Sequence, residues 1–271
     1  MSETPETTTP ETTPSNRATP SPRRLDYDLR DAVAFLTQIP VGLNRKAPIS
    51  QICWAFPLVG AMVGAIGGGA FLLLLAAPLP PFIAAVAAFG LMIVLTGALH
   101  EDGLADAADG FGGGFGATRK LEIMRDSRIG AFGVLALIVA LGLRVSTAAA
   151  LFEVILPALI TAGAVSRAFL PVLMHRMTLA ADTGLAATAG RPSGRATLIS
   201  LCLGIGVAIL AFGPGPGLAI IATTGAAVVA TGALAQRQIG GYNGDVLGAA
   251  QQIGEIAALL CILILQGRGG L

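Results

Sequence analysis

Seven apolar runs, each close to the length that crosses a bilayer, constrain this chain more than any other feature. They fall near residues 53–76, 82–99, 131–151, 154–174, 197–212, 217–236 and 246–265. A transmembrane helix needs roughly 20 apolar residues. Inside lipid, backbone N–H and C=O groups must be satisfied within the protein, which leaves helices as the answer for continuous apolar runs. The expected fold is therefore all-α, a polytopic bundle of about seven spans in a lipid bilayer. Gly60, Gly64 and Gly68 are spaced four apart in the first run and predict a close helix crossing there. Pro78, Pro80 and Pro81 mark one tight turn, and Gly213–Pro–Gly–Pro–Gly217 another.

The remaining sequence sets boundaries and orientation. Residues 1–24 are Thr, Pro, Glu and Ser with few apolar side chains, which reads as a disordered tail preceding one integral membrane domain over 25–271. No apolar run follows Arg23–Arg24, so this is not a signal peptide. Leu29, Ala32, Val33, Leu36 and Ile39 recur at helical spacing and predict a short interfacial helix ending at Pro40. With seven spans, 14 of the 17 Lys and Arg residues fall on one side of the membrane. The positive-inside rule makes that side, with the N-terminus, cytoplasmic, and the expected location is a bacterial inner membrane. A net charge of +1 gives no reason to expect a nucleic-acid partner. Cys53, Cys202 and Cys261 lie far apart in apolar segments and read as buried thiols. The sequence leaves the oligomeric state open, a homo-oligomer included.

Against this apolar background, six of the 16 acidic residues crowd between Glu101 and Asp126. On a helix leaving the apolar layer, Asp102, Asp106 and Asp109 are spaced i, i+4 and i+7 and share one face. Three like charges on one face repel, and a hard divalent cation with oxygen ligands, Mg²⁺ or Mn²⁺, would satisfy them. Glu101 points away and is expected to stand behind such ligands. The glycines from Gly110 to Gly116 should break the helix and open backbone N–H groups to a ligand. Arg125 and Arg128, three apart, would form a basic pair suited to phosphate if they lie on a helix. Carboxylates for a metal beside arginines for phosphate suggest phosphoryl transfer. The plainer alternative is a solvated loop between spans.

Other candidates lie outside that stretch. His100 abuts the acidic motif and could take a proton from an attacking hydroxyl, although an aspartate could do the same. Arg144 and Arg167 are cations inside apolar runs. Arg144 reads as a structural pair of Glu153 or Glu255, and Arg167 as a substrate contact or another such pair. Asn243 and Asp245 precede the last run, with Asp245 either a helix N-cap or a ligand or base.

His100-Glu-Asp-Gly-Leu-Ala-Asp, Asp109-Gly-Phe-Gly-Gly and Leu121-Glu-Ile-Met-Arg-Asp-Ser-Arg-Ile-Gly-Ala-Phe-Gly together resemble the signature of the cobalamin synthase family. The resemblance extends to Thr37-Gln-Ile-Pro40, Trp54-Ala-Phe-Pro-Leu-Val-Gly60 and Gly240-Gly-Tyr-Asn-Gly-Asp-Val-Leu-Gly-Ala249, and covers about residues 28 to 266. It implies an adenosylcobinamide-GDP ribazoletransferase. The substrates would be adenosylcobinamide-GDP and α-ribazole or its 5′-phosphate, and the products the cobamide and GMP. The resemblance further implies Mg²⁺ at Asp102, Asp106 and Asp109, catalytic roles for His100, Asp102, Asp106 and Asp245, and substrate contacts from Arg125, Arg128, Arg167 and Asn243. One departure stands out. Ala180-Ala-Asp-Thr-Gly-Leu-Ala186 lacks an arginine that the family often places before Gly-Leu-Gly, and Arg191 or Arg195 could take its place.

Two other classes compete. A CDP-alcohol phosphotransferase would need Asp-Gly-x-x-Ala-Arg, whereas Asp102-Gly-Leu-Ala-Asp106 has no arginine. A transporter or cation channel predicts acidic residues inside spans, where only Glu255 clearly falls.

Overall fold

A computed structural model describes residues 25–41, 47–181 and 185–270. The tail expected over 1–24, and Asp182 to Gly184 of the departing loop, lie outside the described residues. The described residues form helices α1 (Leu25–Leu36), α2 (Ile49–Ile52), α3 (Phe56–Leu75), α4 (Pro81–Thr96), α5 (Leu99–Gly113), α6 (Ala117–Met124) and α7 (Ala131–Ala150). After them come α8 (Ile155–Ala168), α9 (Leu170–Arg176), α10 (Leu185–Ala189), α11 (Gly194–Phe212), α12 (Pro214–Ile239) and α13 (Gly244–Gly267). The protein is an all-α, multi-pass membrane protein. Six stretches are each long and apolar enough to cross a bilayer: Ile49–Leu75, Ala131–Ala150, Phe152–Arg176, Gly194–Phe212, Pro214–Ile239 and Gly244–Gly267.

The second expected span is where sequence and structure differ. α4 and α5 pass as one crossing only together, and they bend by 90° at the break between them. Gly97 and Ala98 both adopt left-handed backbone, with φ of 62° and 56°. Alanine is rarely found there, so the bend rests on its surroundings. The segment after α1 supplies them: Gln38 N donates to Leu95 O (2.7 Å), and a Cβ on Gly97 would strike the Gln38 side chain. α5 thus turns back among the spans, packing against α7 and α13.

The core is built on a close crossing of α3 and α8. A Cβ on Gly60 would run into the Gly163 carbonyl, and one on Gly64 into the Leu159 carbonyl. The Gly-x-x-x-Gly pattern is therefore a packing face. Gly60→Ala is expected to push two backbones apart and lower the yield of folded, membrane-inserted protein at least about threefold, a cost of 1 kcal/mol or more for overpacking. Size-exclusion profiles in mild detergent check this, and a wild-type yield would mean the crossing tolerates separation. Elsewhere Leu135, Ile138 and Val139 on α7 turn outward, as a lipid-facing surface requires.

Connections at one end of the bundle are tied together. Ala180 N donates to Tyr242 O, and Tyr242 N to Thr178 O, both at 2.9 Å. Lys120 Nζ donates to Gln238 Oε1. The basic segments around α6, after α9 and before α13 meet at this end.

Candidate active site

Two glycines create the site. A Cβ on Gly103 would lie 3.0 Å from Asp245 O, and one on Gly248 would lie 3.1 Å from both Gly103 Cα and His100 O. α5 and α13 can therefore touch backbone to backbone. That contact draws Asp245 to the acidic face of α5, where the carboxylates of Asp102, Asp245 and Asp109 lie close enough to Asp106 to repel its charge. Asp245 is not the cap of α13. Asn243 fills that position, its Oδ1 accepting from Val246 N (2.9 Å), while its Nδ2 donates to Asp245 Oδ2 (2.7 Å). With capping done two residues earlier, the Asp245 carboxylate faces inward.

It faces a cavity of about 310 Å³. His100, Asp102, Arg125, Asn243 and Asp245, five of the residues expected from sequence, line it together. Asp106 stands beside them on α5.

Asp109 has a different place. Gly130 N donates to its Oδ2 (2.6 Å) and Gly133 N to its Oδ1 (2.9 Å). A carboxylate with both oxygens on the first amides of α7 is a helix-end anchor, favoured by the helix dipole. Both oxygens of Asp109, expected from the sequence as a metal ligand, thus accept from backbone amides. Among the described residues, no three His, Cys, Asp or Glu side chains already form a metal cage.

The arginine pair also resolves differently. α6 ends at Met124, so Arg125 and Arg128 do not share a helix face. Arg125 lines the cavity, whereas the exposed Arg128 pairs with Asp126 (Nη2–Oδ2 2.6 Å) and holds that carboxyl below its usual range by hydrogen bonding. The glycine run does end α5, as expected, with the last helical residue at Gly113 and Gly114 beyond it. Its glycines receive neighbours. Met124 packs where a Cβ on Gly110 would be, 2.6 Å from Met124 Cγ, and the Phe132 ring does the same at Gly112.

The intramembrane charges form a network behind the cavity. Arg144 Nη1 donates to Glu101 Oε1 and to Gln252 Oε1, both at 2.8 Å, and its Nη2 lies 2.8 Å from Glu255 Oε1. Its guanidinium also sits 4.5 Å over the Phe89 ring. Glu255 is one of its expected partners, but Glu153 is replaced by Glu101. Arg167 is buried beside Glu255 (3.7 Å) and donates to Gly163 O (3.2 Å). It does not line the cavity where a substrate contact was expected. Gln251 and Gln252 complete the network through Glu255, Ser166 and Glu101. Sequence reading missed both glutamines, although two adjacent amides within an apolar run, three and four residues before Glu255, were the signal. Arg191 donates from Nε to His175 O (2.8 Å), so its charge is held at the loop.

Gly248→Ala is expected to cut turnover roughly 10-fold or more with insertion unchanged, since a misplacement of about 1 Å can cost 100-fold. Steady-state assay of membranes normalised to protein would show it. Full activity in the variant would mean that the α5–α13 spacing does not set the carboxylate geometry.

A family model described as Cobalamin-5-phosphate synthase matches residues 28–263. An Adenosylcobinamide-GDP ribazoletransferase of Bradyrhizobium diazoefficiens is 44% identical over 243 residues, covering 88% of this chain and 94% of that protein. Proteins of the same name from Allorhizobium ampelinum and Azorhizobium caulinodans are each 41% identical, covering 87% and 89% of this chain and 95% and 97% of their own. No solved structure matches.

Proposed function

The chain belongs to the cobalamin-5-phosphate synthase family, and from that premise we propose that it is an adenosylcobinamide-GDP ribazoletransferase. A free ribose hydroxyl, one that both α-ribazole and its 5′-phosphate carry, attacks the phosphorus next to cobinamide and gives up its proton. The bond from that phosphorus to the bridging oxygen breaks, and GMP leaves with the electron pair. The observation that carries this reading is the cavity that gathers His100 and Asp102 of α5, Arg125 just after α6 and Asp245 of α13.

Each residue then has work to do. His100 and Asp245 are the proton acceptors on the cavity wall for the attacking hydroxyl. Arg125 is placed to bind phosphate oxygens. Asn243 orients Asp245 through its 2.7 Å bond. Asp102 and Asp106 offer oxygen-only donors whose mutual repulsion a hard cation relieves. Mg²⁺ commonly uses one or two carboxylates and completes its shell with water and substrate phosphates, so the pair Asp102 and Asp106 suits it. When bound there, it would neutralise diphosphate charge and stabilise the leaving oxygen.

Incubation of membranes with adenosylcobinamide-GDP, α-ribazole and Mg²⁺ is expected to yield cobamide and GMP in equal amounts. No product, in membranes where the protein is shown to be folded, would sink the reading.

The gathered basic segments support an orientation with the site on the cytoplasmic face of an inner membrane. Cysteines placed near positions 117 and 188, in a Cys202→Ser background, should label only from the cytoplasm, and one near 215 only from outside. Labelling of 117 and 215 from one side would overturn that topology.

A further inference from the structure

The cavity wall has two characters. Its charged and polar groups come from the first turn of α5, the end of α6 and the start of α13. Much of the rest is apolar. Met124 and Met174, both nearly fully buried, belong to one continuous apolar cluster with Leu121 and Ile49 packed against it, and all four face the cavity. Asn243 joins the two parts: its Nδ2 donates to Asp245 Oδ2 (2.7 Å) and approaches Met124 Sδ (3.4 Å).

Size limits the occupant. A volume of about 310 Å³ lies at the low end of small-molecule sites, roughly 300–1,000 Å³. One molecule of nucleoside size fits, and a corrinoid ring does not. Polarity narrows the choice between the acceptor and the donor's guanosine. Guanine against the methionine wall would bury N–H and C=O groups without partners, at a cost of about 1–3 kcal/mol each. The benzimidazole of α-ribazole has no such groups on its ring beyond one acceptor nitrogen, and thioether sulfur packs favourably on aromatic rings.

Resting on the transfer reaction above, we infer that this cavity is the seat of the acceptor. The benzimidazole lies against Met124 and Met174, and the attacking ribose hydroxyl is delivered to His100 and Asp245. Corrinoid and guanosine stay at the mouth, and the donor enters only by its diphosphate. Met124 and Met174 are then specificity-determining residues for the acceptor base.

The test separates this inference from the reaction it rests on. Wild-type protein in detergent is first assayed with both substrates, and absence of cobamide overturns the transfer reaction itself. With turnover in hand, Met174→Trp is expected to raise KM for α-ribazole at least about 10-fold while KM for adenosylcobinamide-GDP stays within about twofold. The opposite pattern assigns the cavity to the donor and overturns the inference. Should the variant fail to fold, the fluorescence of α-ribazole titrated with wild-type protein decides. Saturable binding without donor, undisturbed by GMP, supports the acceptor seat. Stoichiometric displacement by GMP, or no binding until donor is added, overturns it.

Discussion

Replacing Asp102 or Asp106 with asparagine is expected to cut turnover at least about 100-fold, a barrier increase of roughly 3 kcal/mol. Asparagine keeps the size and removes one charge from the acidic face of α5. Both residues are partly open to solvent, so insertion and folding should hold. The repulsion that Asp102 and Asp245 exert on Asp106 is what a bound cation would relieve, so the loss should come with altered Mg²⁺ dependence. Asp109→Asn is the informative contrast. Its carboxylate anchors the amides of Gly130 and Gly133, so this change should cost about 1–2 kcal/mol of stability. The Mg²⁺ concentration for half-maximal activity should stay where it was. Glu122→Gln should be milder still, because Glu122 pairs with Arg119 on the exposed face of α6. Near-normal turnover and unchanged Mg²⁺ dependence in Asp102→Asn and Asp106→Asn would remove the metal assignment. A shifted Mg²⁺ requirement in Asp109→Asn would return Asp109 to the ligand set.

That contrast marks how far the sequence could be read. Local spacing correctly put Asp102 and Asp106 on one helix face, because that depends on helical geometry alone. Asp109 follows the same spacing but sits where the N-terminus of α7 arrives, a meeting that no local pattern encodes. The glycines after Asp109 read as a helix end on propensity, and α5 does end among them at Gly113, but that Met124 and Phe132 fill the spaces at Gly110 and Gly112 is encoded by no local pattern. Charge asymmetry put Asp245 on the same side as the acidic motif, and the structure brings the two together through Gly103 and Gly248. Those glycines were visible within the motifs, but their partner across the interface was not. The 90° bend was hidden for a related reason. Gly97 is a plausible helix end by sequence, yet Ala98 adopts positive φ only because the chain around Gln38 and the two flanking helices fix it there.

The largest effect on folding is expected at Arg144. It is buried against Glu101 and Glu255 inside the bundle, and its Nη1 also donates to a third acceptor, Gln252 Oε1. Taking such charges out of water is costly, and the pairing offsets the cost only while every partner is present. Arg144→Met takes from two buried carboxylates the cation they share, leaving Glu255 with Arg167 at 3.7 Å and the Gln251 amide, and Glu101 with the Gln252 amide alone. The expected loss is roughly 3–5 kcal/mol, enough to remove most folded protein. Thermal unfolding in detergent, followed by intrinsic fluorescence of Trp54 or by retention on size exclusion, would register it. Removing the partner as well should repair much of the damage. In the double variant Arg144→Met with Glu101→Gln, Glu255 keeps Arg167 and the Gln251 amide, and residue 101 keeps an oxygen for Gln252. The double variant should therefore be more stable than Arg144→Met alone. If the single variant unfolds at the wild-type temperature, or the double is worse than the single, the network is not what holds α5 against α7 and α13. The link to function is direct, because Glu101 lies between His100 and Asp102 and its bonds to Arg144 and Gln252 turn those two neighbours toward the cavity. A stable double variant should then show a lower kcat with little change in either KM, the pattern of a positioning residue.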